Sequence, residues 1–237
     1  MSKKKILILG ASSDIGVELI KVLRSKKKWE IHAHCNSNLS RLKKMHLDRI
    51  IKNNFINAEK ILKFTRKNRK YFRGFDAYVN LTGYLKPNLI KDLNVKNFYD
   101  HINANFLSGF FILREVIEGM KKRKSGGDVV LSSSIGTKFG GGSRTYAYSL
   151  SKHLNEFIPN EYRKLVKKNI YINVLQIGLT DTKLNLKLKK KKFKKRINLI
   201  PLSRMAKPLE VVAYINFLLH GDNKLISCEK INISGGE

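Results

Sequence analysis

Near the N-terminus the chain reads KILILGASSDIG, residues 5–16, and this segment gives the first indication of the fold class. Lys5 to Leu9 is a short apolar run, which is typical of a buried strand. It continues into Gly10 to Gly16 and then into an amphipathic segment, Val17 to Leu23. A strand, a glycine-containing loop and a helix in this order direct backbone N–H groups at a phosphate. The segment therefore predicts a phosphate-binding loop at the start of an α/β domain.

Strands and helices alternate along almost the whole chain. Apolar runs predict further strands at Trp29–Cys35, Arg49–Lys52, Phe75–Asn80, Asp128–Leu131, Ile170–Gln176 and Lys230–Ile233. Helical periodicity predicts helices at Ala58–Lys67, Val95–Lys121, Arg144–Lys168 and Lys207–Leu219. This order predicts an α/β protein with a doubly wound, Rossmann-like parallel sheet of about seven strands and helices on both faces. With 237 residues, of which 42% are apolar, we expect a single domain spanning residues 1–237.

The chain is strongly basic, with 48 Lys plus Arg against 18 Asp plus Glu and a net charge of +30. Such a charge attracts polyanions, and nucleic acid is the obvious candidate partner. The alternative is a lysine-rich composition in which most lysines only solvate the surface, and we adopt it for the chain as a whole. The segment Lys183–Arg196 stands apart, because nine of its fourteen residues are basic and none is acidic.

Several function classes are excluded by what the sequence lacks. No apolar run approaches the roughly 18 residues of a membrane span, and Ile6 to Leu9 is too short for a signal-peptide core. Cys35 and Cys228 lie far apart, and the six histidines are scattered without metal-ligand spacing. We therefore expect a cytoplasmic protein with free thiols, no metal and no membrane insertion.

The end of the second predicted strand bears on the choice of a dinucleotide. In a dinucleotide-binding fold an acidic residue at this place binds the ribose 2′-hydroxyl and repels a 2′-phosphate. Here the strand runs into Asn36 and Ser37, with Arg41 and Lys43 just downstream. These residues favour NADP(H) over NAD(H), although they would also serve as ordinary turn and helix-start residues.

A run of three serines, Ser132 to Ser134, precedes a Tyr-x-x-x-Lys pair formed by Tyr148 and Lys152. Residues four apart stand one turn apart on the same face of a helix. A neighbouring ammonium favours the charged form of a tyrosine, so we expect Lys152 to lower the pKa of Tyr148 and make it an acid or base. The alternative interpretation of this pair alone is a solvated helix face, because lysines are abundant throughout the chain.

Taken in order, these segments resemble the short-chain dehydrogenase/reductase family, and the pattern is most similar to that of 3-oxoacyl-carrier-protein reductases. Gly10–Gly16 resembles the cofactor loop of the family, with Asp14 in place of its middle glycine. The other matching segments are Asn80-Leu81-Thr82-Gly83, Asn105 within a long helix, Ser134 with Tyr148 and Lys152, Ile177-Gly178 through Thr182, Ile200–Met205 and Ser234–Gly236. In the Ile177 segment, isoleucine replaces the proline that the family carries.

The resemblance implies a catalytic tetrad of Asn105, Ser134, Tyr148 and Lys152. Ser134 would donate a hydrogen bond to a substrate carbonyl, Tyr148 would supply its proton, and Lys152 would also hold the nicotinamide ribose. Asn105 would position a water that links the lysine to solvent. Ser132 and Ser133 are alternatives to Ser134, but alignment on the preceding strand favours the last serine. Tyr146 lacks a lysine four residues on and is expected to form a pocket wall.

The same resemblance implies a set of cofactor-binding residues and an activity. The residues are Gly10, Ser12, Ser13, Asp14, Ile15, Gly16, Asn36, Ser37, Asn54, Asn80, Gly83, Tyr148, Lys152, Leu179 and Thr182. The implied activity is the NADPH-dependent reduction of a ketone or 3-oxoacyl carbonyl to a secondary alcohol. Two alternatives stay open: an enzyme acting on a sugar or small alcohol with NAD, and a non-enzymatic nucleic-acid-binding or regulatory protein.

The resemblance also predicts how the protein meets its substrate and its own copies. Residues 183–200 are expected to form a basic lid over the substrate. The lid is either simply solvated, or it receives an acidic partner such as an acyl carrier protein, or it binds a nucleic acid or a membrane surface. A homodimer or homotetramer is expected, assembled through the helices that hold Asn105 and Tyr148.

Overall fold

The computed structural model of the chain describes residues 3–185, 196–219 and 225–237. Within these ranges all strands are parallel and belong to one sheet. They are β1 (Lys4–Leu9), β2 (Trp29–Cys35), β3 (Arg49–Lys52), β4 (Ala77–Asn80), β5 (Gly127–Ser134), β6 (Ile170–Ile177) and β7 (Lys230–Ile233). Their spatial order is β3-β2-β1-β4-β5-β6-β7, which confirms the predicted doubly wound sheet.

Helices cover both faces of this sheet. They are α1 (Asp14–Ser25), α2 (Leu39–Lys43), α3 (Ala58–Lys67), α4 (Arg69–Phe72), α5 (Val95–Ile102), α6 (Ser108–Met120), α7 (Tyr146–His153), α8 (Asn160–Arg163) and α9 (Pro208–Leu218). One apolar core lies where α1 and α9 pack on the sheet, and a second lies under α3, α4 and α6. Burying each large aliphatic side chain contributes about 1.5–3 kcal/mol, so both faces of the sheet hold the fold together.

The strand order reverses between β1 and β4, and this reversal places the cleft. After building β2 and β3 on one side of β1, the chain returns to pair β4 with its other side, with Leu9 opposite Asn80. In open α/β sheets ligands bind at such a point, outside the carboxyl ends of the strands. The loops that follow β1, β4 and β5 therefore meet at one edge of the sheet.

The helix predicted for Val95–Lys121 is interrupted. A π-helical turn, Asn103–Leu107, separates α5 from α6. The side chain of Asn105 explains the wide turn, because it accepts a hydrogen bond from the backbone N–H of Tyr84 at 2.6 Å and donates one to the Tyr84 carbonyl at 3.0 Å. Such turns within α-helices are frequent at functional sites.

The single helix predicted for Arg144–Lys168 is wrong. The α-helix α7 ends at His153, a 3-10 turn follows at Leu154–Glu156, and only the short α8 and a second 3-10 turn, Lys164–Lys168, come after it. Pro159 prevents one helix from running on to Lys168, because proline lacks an N–H and its ring clashes with the carbonyl four residues earlier, although α7 ends six residues before it.

Helix α1 starts earlier than the amphipathic segment Val17 to Leu23 predicts. The helix begins at Asp14, three residues before the predicted start, because the Ser13 hydroxyl caps it by accepting the N–H of Gly16 at 3.1 Å. Among the helices of the described ranges, none is both long and apolar enough to cross a bilayer. The described residues also contain no cluster of three His, Cys, Asp or Glu side chains that could hold a metal ion.

Replacing Gly119 of α6 by Ala is expected to destabilise the chain. A Cβ atom there would lie 1.9 Å from the backbone oxygen of Arg73, which cannot move aside as a flexible side chain could. We expect a loss of about 1–3 kcal/mol in the free energy of unfolding, measured by urea denaturation. Gly142→Ala is the control, because its nearest neighbour would be the Thr145 hydroxyl at 3.5 Å. A Gly119→Ala chain as stable as the wild type would contradict this close helix contact.

Candidate active site

A cleft of about 1140 Å³ opens at the carboxyl edge of the sheet. Most residues predicted for the site line it, although they come from seven separate parts of the chain. They are Gly10, Ser12, Ser13, Asp14, Ile15, Asn36, Ser37, Asn54, Gly83, Ser134, Tyr148, Lys152, Leu179 and Thr182. The fold thus brings the predicted catalytic and cofactor-binding residues together in one place.

Three predicted site residues, Gly16, Asn80 and Asn105, lie outside the set that lines the cleft. Gly16 allows α1 to approach the loop, since a Cβ atom there would be 2.5 Å from the Ala11 oxygen. Asn80 is buried, and its Oδ1 accepts hydrogen bonds from the N–H and hydroxyl of Thr82 at 3.1 and 2.7 Å. The side chain of Asn80 thus forms its hydrogen bonds within the protein, and Gly16 has no side chain. Both residues support the cleft from behind its lining.

The loop after β1 has the form of a phosphate cradle. Gly10 has φ of +68°, and a Cβ atom on it would lie 2.6 Å from the backbone oxygen of Leu81. Only glycine fits there, which keeps the turns after β1 and β4 in contact. Ser12, Ser13 and Asp14 bring the N-terminus of the twelve-residue helix α1 to the cleft. A helix N-terminus with free backbone N–H groups suits an anion such as the diphosphate of a dinucleotide.

The three consecutive serines of β5 have three different partners. The Ser132 hydroxyl accepts a hydrogen bond from Nζ of Lys152 at 2.8 Å, and the Ser133 hydroxyl donates to Glu156 at 2.5 Å. The Ser134 hydroxyl accepts the N–H of Gly136 at 3.2 Å and lines the cleft. Successive side chains of a strand point to opposite faces, so Ser133 turns away from the face shared by the other two. All three serines line the cleft, but the hydroxyls of Ser132 and Ser133 are engaged by Lys152 and Glu156, and this favours Ser134 as the hydroxyl that meets a substrate.

Burial shifts the pKa values of both members of the Tyr-x-x-x-Lys pair away from their charged forms. Lys152 is 2% exposed, its Nζ also donates to the Thr82 carbonyl at 3.1 Å, and burial lowers its pKa to about 7. Burial raises the pKa of Tyr148 to about 12. The predicted lowering of the Tyr148 pKa by Lys152 is therefore wrong for the chain without ligands, because burial of the phenol dominates and Lys152, with a pKa of about 7, keeps only part of its charge at neutral pH.

Asn105 is held by residues on the Tyr148 segment. Its side-chain amide donates to the Ser151 hydroxyl at 2.8 Å, and its backbone carbonyl accepts from the Asn155 amide at 3.0 Å. Ser151 and Asn155 are four apart, so one face of this segment fixes the π-helical turn beneath Tyr148. Asn105 is fully buried, and its contacts connect the turn after β4 with α7.

Glu156 forms a buried polar cluster behind β5 that the sequence analysis missed. Its carboxylate accepts hydrogen bonds from the Ser133 and Thr137 hydroxyls at 2.5 and 2.6 Å and from the Gln176 amide at 3.2 Å. Burial opposes ionisation, but the hydrogen bonds from Ser133, Thr137 and Lys230 lower the pKa of Glu156. The available signal was a glutamine within the apolar β6 strand, since buried polar side chains require partners.

Tyr146 does not form the predicted pocket wall. Its side chain is 38% exposed and its ring lies 6.3 Å from that of Phe98, whereas the residues lining the cleft include Tyr148 but not Tyr146. The two tyrosines are two positions apart on α7, so the helix directs them to different sides.

At the far end of the cleft, Arg41 lies beside the cofactor loop. Its guanidinium donates to the Ser12 carbonyl and to Asp14 Oδ1, both at 2.8 Å. The other oxygen of Asp14 accepts the backbone N–H of Lys183 at 2.7 Å, where the predicted lid begins. Residues 186–195 of that lid, and so most of its basic segment, lie outside the described residues.

Lys152→Met is expected to stabilise the chain without ligands near neutral pH, because no ammonium then has to be buried. The folded chain holds the pKa of Lys152 at about 7, below the ordinary 10.5, so between these values the folded state binds fewer protons than the unfolded state. The lysine therefore costs most stability below pH 7, and this cost falls as the pH rises. The advantage of the methionine variant should shrink in the same direction.

Thermal melts between about pH 6 and about pH 9 measure this difference. Lys60→Met is the control, because Lys60 is an exposed residue of α3. A stabilisation by Lys152→Met that stayed constant across the range would show that the cost does not come from an ionised Lys152.

Comparison with known proteins gives one family-level match over most of the chain. A family model described as enoyl-(acyl carrier protein) reductase matches residues 29–237. A 3-oxoacyl-[acyl-carrier-protein] reductase of Vibrio cholerae is 23% identical over 236 residues, which cover 98% of this chain and 96% of the relative. A protein of the same name from Thermotoga maritima is 29% identical over 168 residues, 71% of this chain and 68% of that one.

Solved structures agree on the fold. A short-chain dehydrogenase/reductase of Serratia marcescens superposes with a TM-score of 0.85 at 20% identity, covering 98% of this chain and 97% of that one. The description of the family model refers to an enoyl group and the names of the relatives to a 3-oxoacyl group. The comparisons thus agree on a reductase-type scaffold and differ on the bond that is reduced.

Proposed function

The chain belongs to the short-chain dehydrogenase/reductase family of oxidoreductases, and from this premise we propose that it reduces a 3-oxoacyl-type ketone to a secondary alcohol with NADPH. The observation that carries the proposal is the convergence of Ser134, Tyr148 and Lys152 with the glycine loop in one cleft. Two of these side chains offer hydroxyl groups, which suit a carbonyl oxygen that gains charge and then a proton.

The proposed roles follow from the contacts of each side chain. The Ser134 hydroxyl accepts from Gly136 and keeps its own hydrogen for a substrate oxygen. Tyr148, whose pKa burial raises to about 12, is protonated at neutral pH and donates its proton to the oxygen that becomes the alcohol. Lys152 stays on the floor of the cleft through Thr82 and Ser132, where its ammonium would stabilise the phenolate left behind.

A nicotinamide dinucleotide fits the residues of this cleft and, when bound, supplies the hydride. The loop from Gly10 to Ile15 would hold its diphosphate. Asn36, Ser37 and Arg41 would hold the adenosine end, and Leu179 with Thr182 the nicotinamide end. No acidic side chain stands at the end of β2, and the Arg41 guanidinium supports a preference for a 2′-phosphate.

Tyr148→Phe is expected to lower kcat by about 10²- to 10⁴-fold, because it removes the proton donor and leaves the rest of the ring. The assay follows NADPH absorbance with a 3-oxoacyl thioester, and an enoyl thioester serves as the comparison substrate. Tyr146→Phe is the matched control, since it removes a hydroxyl from the same helix outside the cleft. Full turnover by Tyr148→Phe would refute the assigned role, and reduction of only the enoyl thioester would refute the proposed substrate class.

NADPH is expected to bind more tightly than NADH, and Arg41→Ala should weaken the binding of NADPH by about tenfold with little effect on NADH. Titration of the dinucleotide fluorescence measures both affinities. Lys60→Ala is the control, because Lys60 is exposed on α3 and does not line the cleft. A clear preference for NADH in the wild type would overturn the cofactor assignment.

The remaining expectations stay predictions. They are the single domain with a basic lid at 183–200, the acyl-carrier-bound substrate, the homodimer or homotetramer and the cytoplasmic location. The interaction with nucleic acid, which the charge of +30 alone would suit, is also a prediction.

A further inference from the structure

We infer that the carboxylate of Asp14 occupies donors that the phosphates of a bound dinucleotide need, so that Asp14 competes with the cofactor and lowers its affinity. This inference rests on the proposed function, because it takes a dinucleotide as the ligand of the cleft. Asp14 would thus weaken the binding of the cofactor, whereas the loop that contains it would strengthen that binding.

The contacts of Asp14 reach both sides of the cleft. One carboxylate oxygen lies 2.8 Å from Nη2 of Arg41, and the other lies 2.7 Å from the backbone nitrogen of Lys183. A guanidinium and a backbone N–H are both donors that proteins commonly use to bind phosphate. The carboxylate of Asp14 therefore takes the position between these two donors that a bound anion could take.

The fold does not need this carboxylate to start α1. The hydroxyl of Ser13 already caps the helix through the N–H of Gly16. A negative side chain in the first turn has a favourable interaction with the helix dipole, but that interaction requires neither Arg41 nor Lys183. The two long-range contacts thus need a separate explanation.

The charges around the cleft make Asp14 stand out. Among the described residues that line it, Asp14 is the only one with an acidic side chain. The lining residues with basic side chains are Arg41, Arg144, Lys152, Lys183 and Arg196. A ligand with several phosphate charges is attracted by this surface as a whole and repelled at one point, next to the helix N-terminus where its diphosphate would lie.

The contact with Lys183 also holds the start of the predicted lid beside the loop after β1. Lys183 follows Thr182, and a Cβ atom on Gly83 would lie only 3.2 Å from Cδ2 of Leu184. The start of the predicted lid thus lies across the turn after β4 while Asp14 holds its backbone. An anion that takes the N–H of Lys183 has to displace the carboxylate first, and one that binds the Nη2 side of Arg41 has to share it with Asp14.

The test is the binding of NADPH and NADH to the full chain carrying Asp14→Asn, which keeps the shape of the side chain and removes its charge. We expect the Kd for NADPH to fall by about three- to tenfold, as for the loss of one partly screened charge near a phosphate. The gain should be smaller for NADH, which has no 2′-phosphate to take Arg41. It should also shrink when Arg41→Ala is added, since the two side chains are coupled.

Glu18→Gln is the matched control. Glu18 lies on the same helix, pairs with Lys21 at 2.7 Å and does not line the cleft. The change therefore removes one negative charge from α1 and leaves the contacts of Asp14 with Arg41 and Lys183 in place. We expect a change in Kd of less than about twofold. A second readout is the melting temperature without ligand, which should fall for Asp14→Asn while the rise produced by NADPH becomes larger.

The outcomes separate this inference from the proposed function. If the wild type binds NADPH and Asp14→Asn binds it equally or more weakly, the inference is overturned and the proposed function stands. Binding by Asp14→Asn alone would support the inference. If neither chain binds either dinucleotide, the proposed function fails and the inference fails with it.

Discussion

The buried amino group of Lys152 connects three elements that build the site. One of its hydrogen bonds joins α7 to Thr82 in the turn after β4, and the other joins α7 to Ser132 in β5. Placing an ammonium there is unfavourable, because burial lowers its pKa to about 7, and a packed core alone would not select it. The chain retains a costly group at the one position where three elements that build the cleft meet.

The fold was predictable because its signals are local. Each signal lies in a short continuous stretch of sequence, as in the apolar runs of β1 and β2 and the glycine loop after β1. The observed strands agree with these signals to within a few positions. The helix containing Tyr148 was not predicted correctly, because its end depends on long-range contacts. Pro159 gave a local warning, but the inward turn of Asn155 and Glu156 becomes visible only when Asn105 and Ser133 are in place.

The site shows the same division between spacing and surroundings. Spacing and resemblance were enough to predict that Ser134, Tyr148 and Lys152 lie together, and they do line one cleft. The protonation of Tyr148 could not be predicted from spacing, because a lysine four residues away lowers a tyrosine pKa only if it keeps its charge. Burial lowers the pKa of Lys152 to about 7 and raises that of Tyr148 to about 12, and burial is a property of the assembled fold.

The serine run of β5 has a consequence for how the strand can vary. A slip of one residue turns every side chain of a strand to the opposite face, yet here it would still present a hydroxyl at each of two neighbouring positions. The serines therefore cannot specify their own register. That information lies in the side chains that receive them, Lys152 on one face and Glu156 on the other. Replacing Lys152 or Glu156 should therefore disturb the strand more than replacing any one serine by another small polar residue.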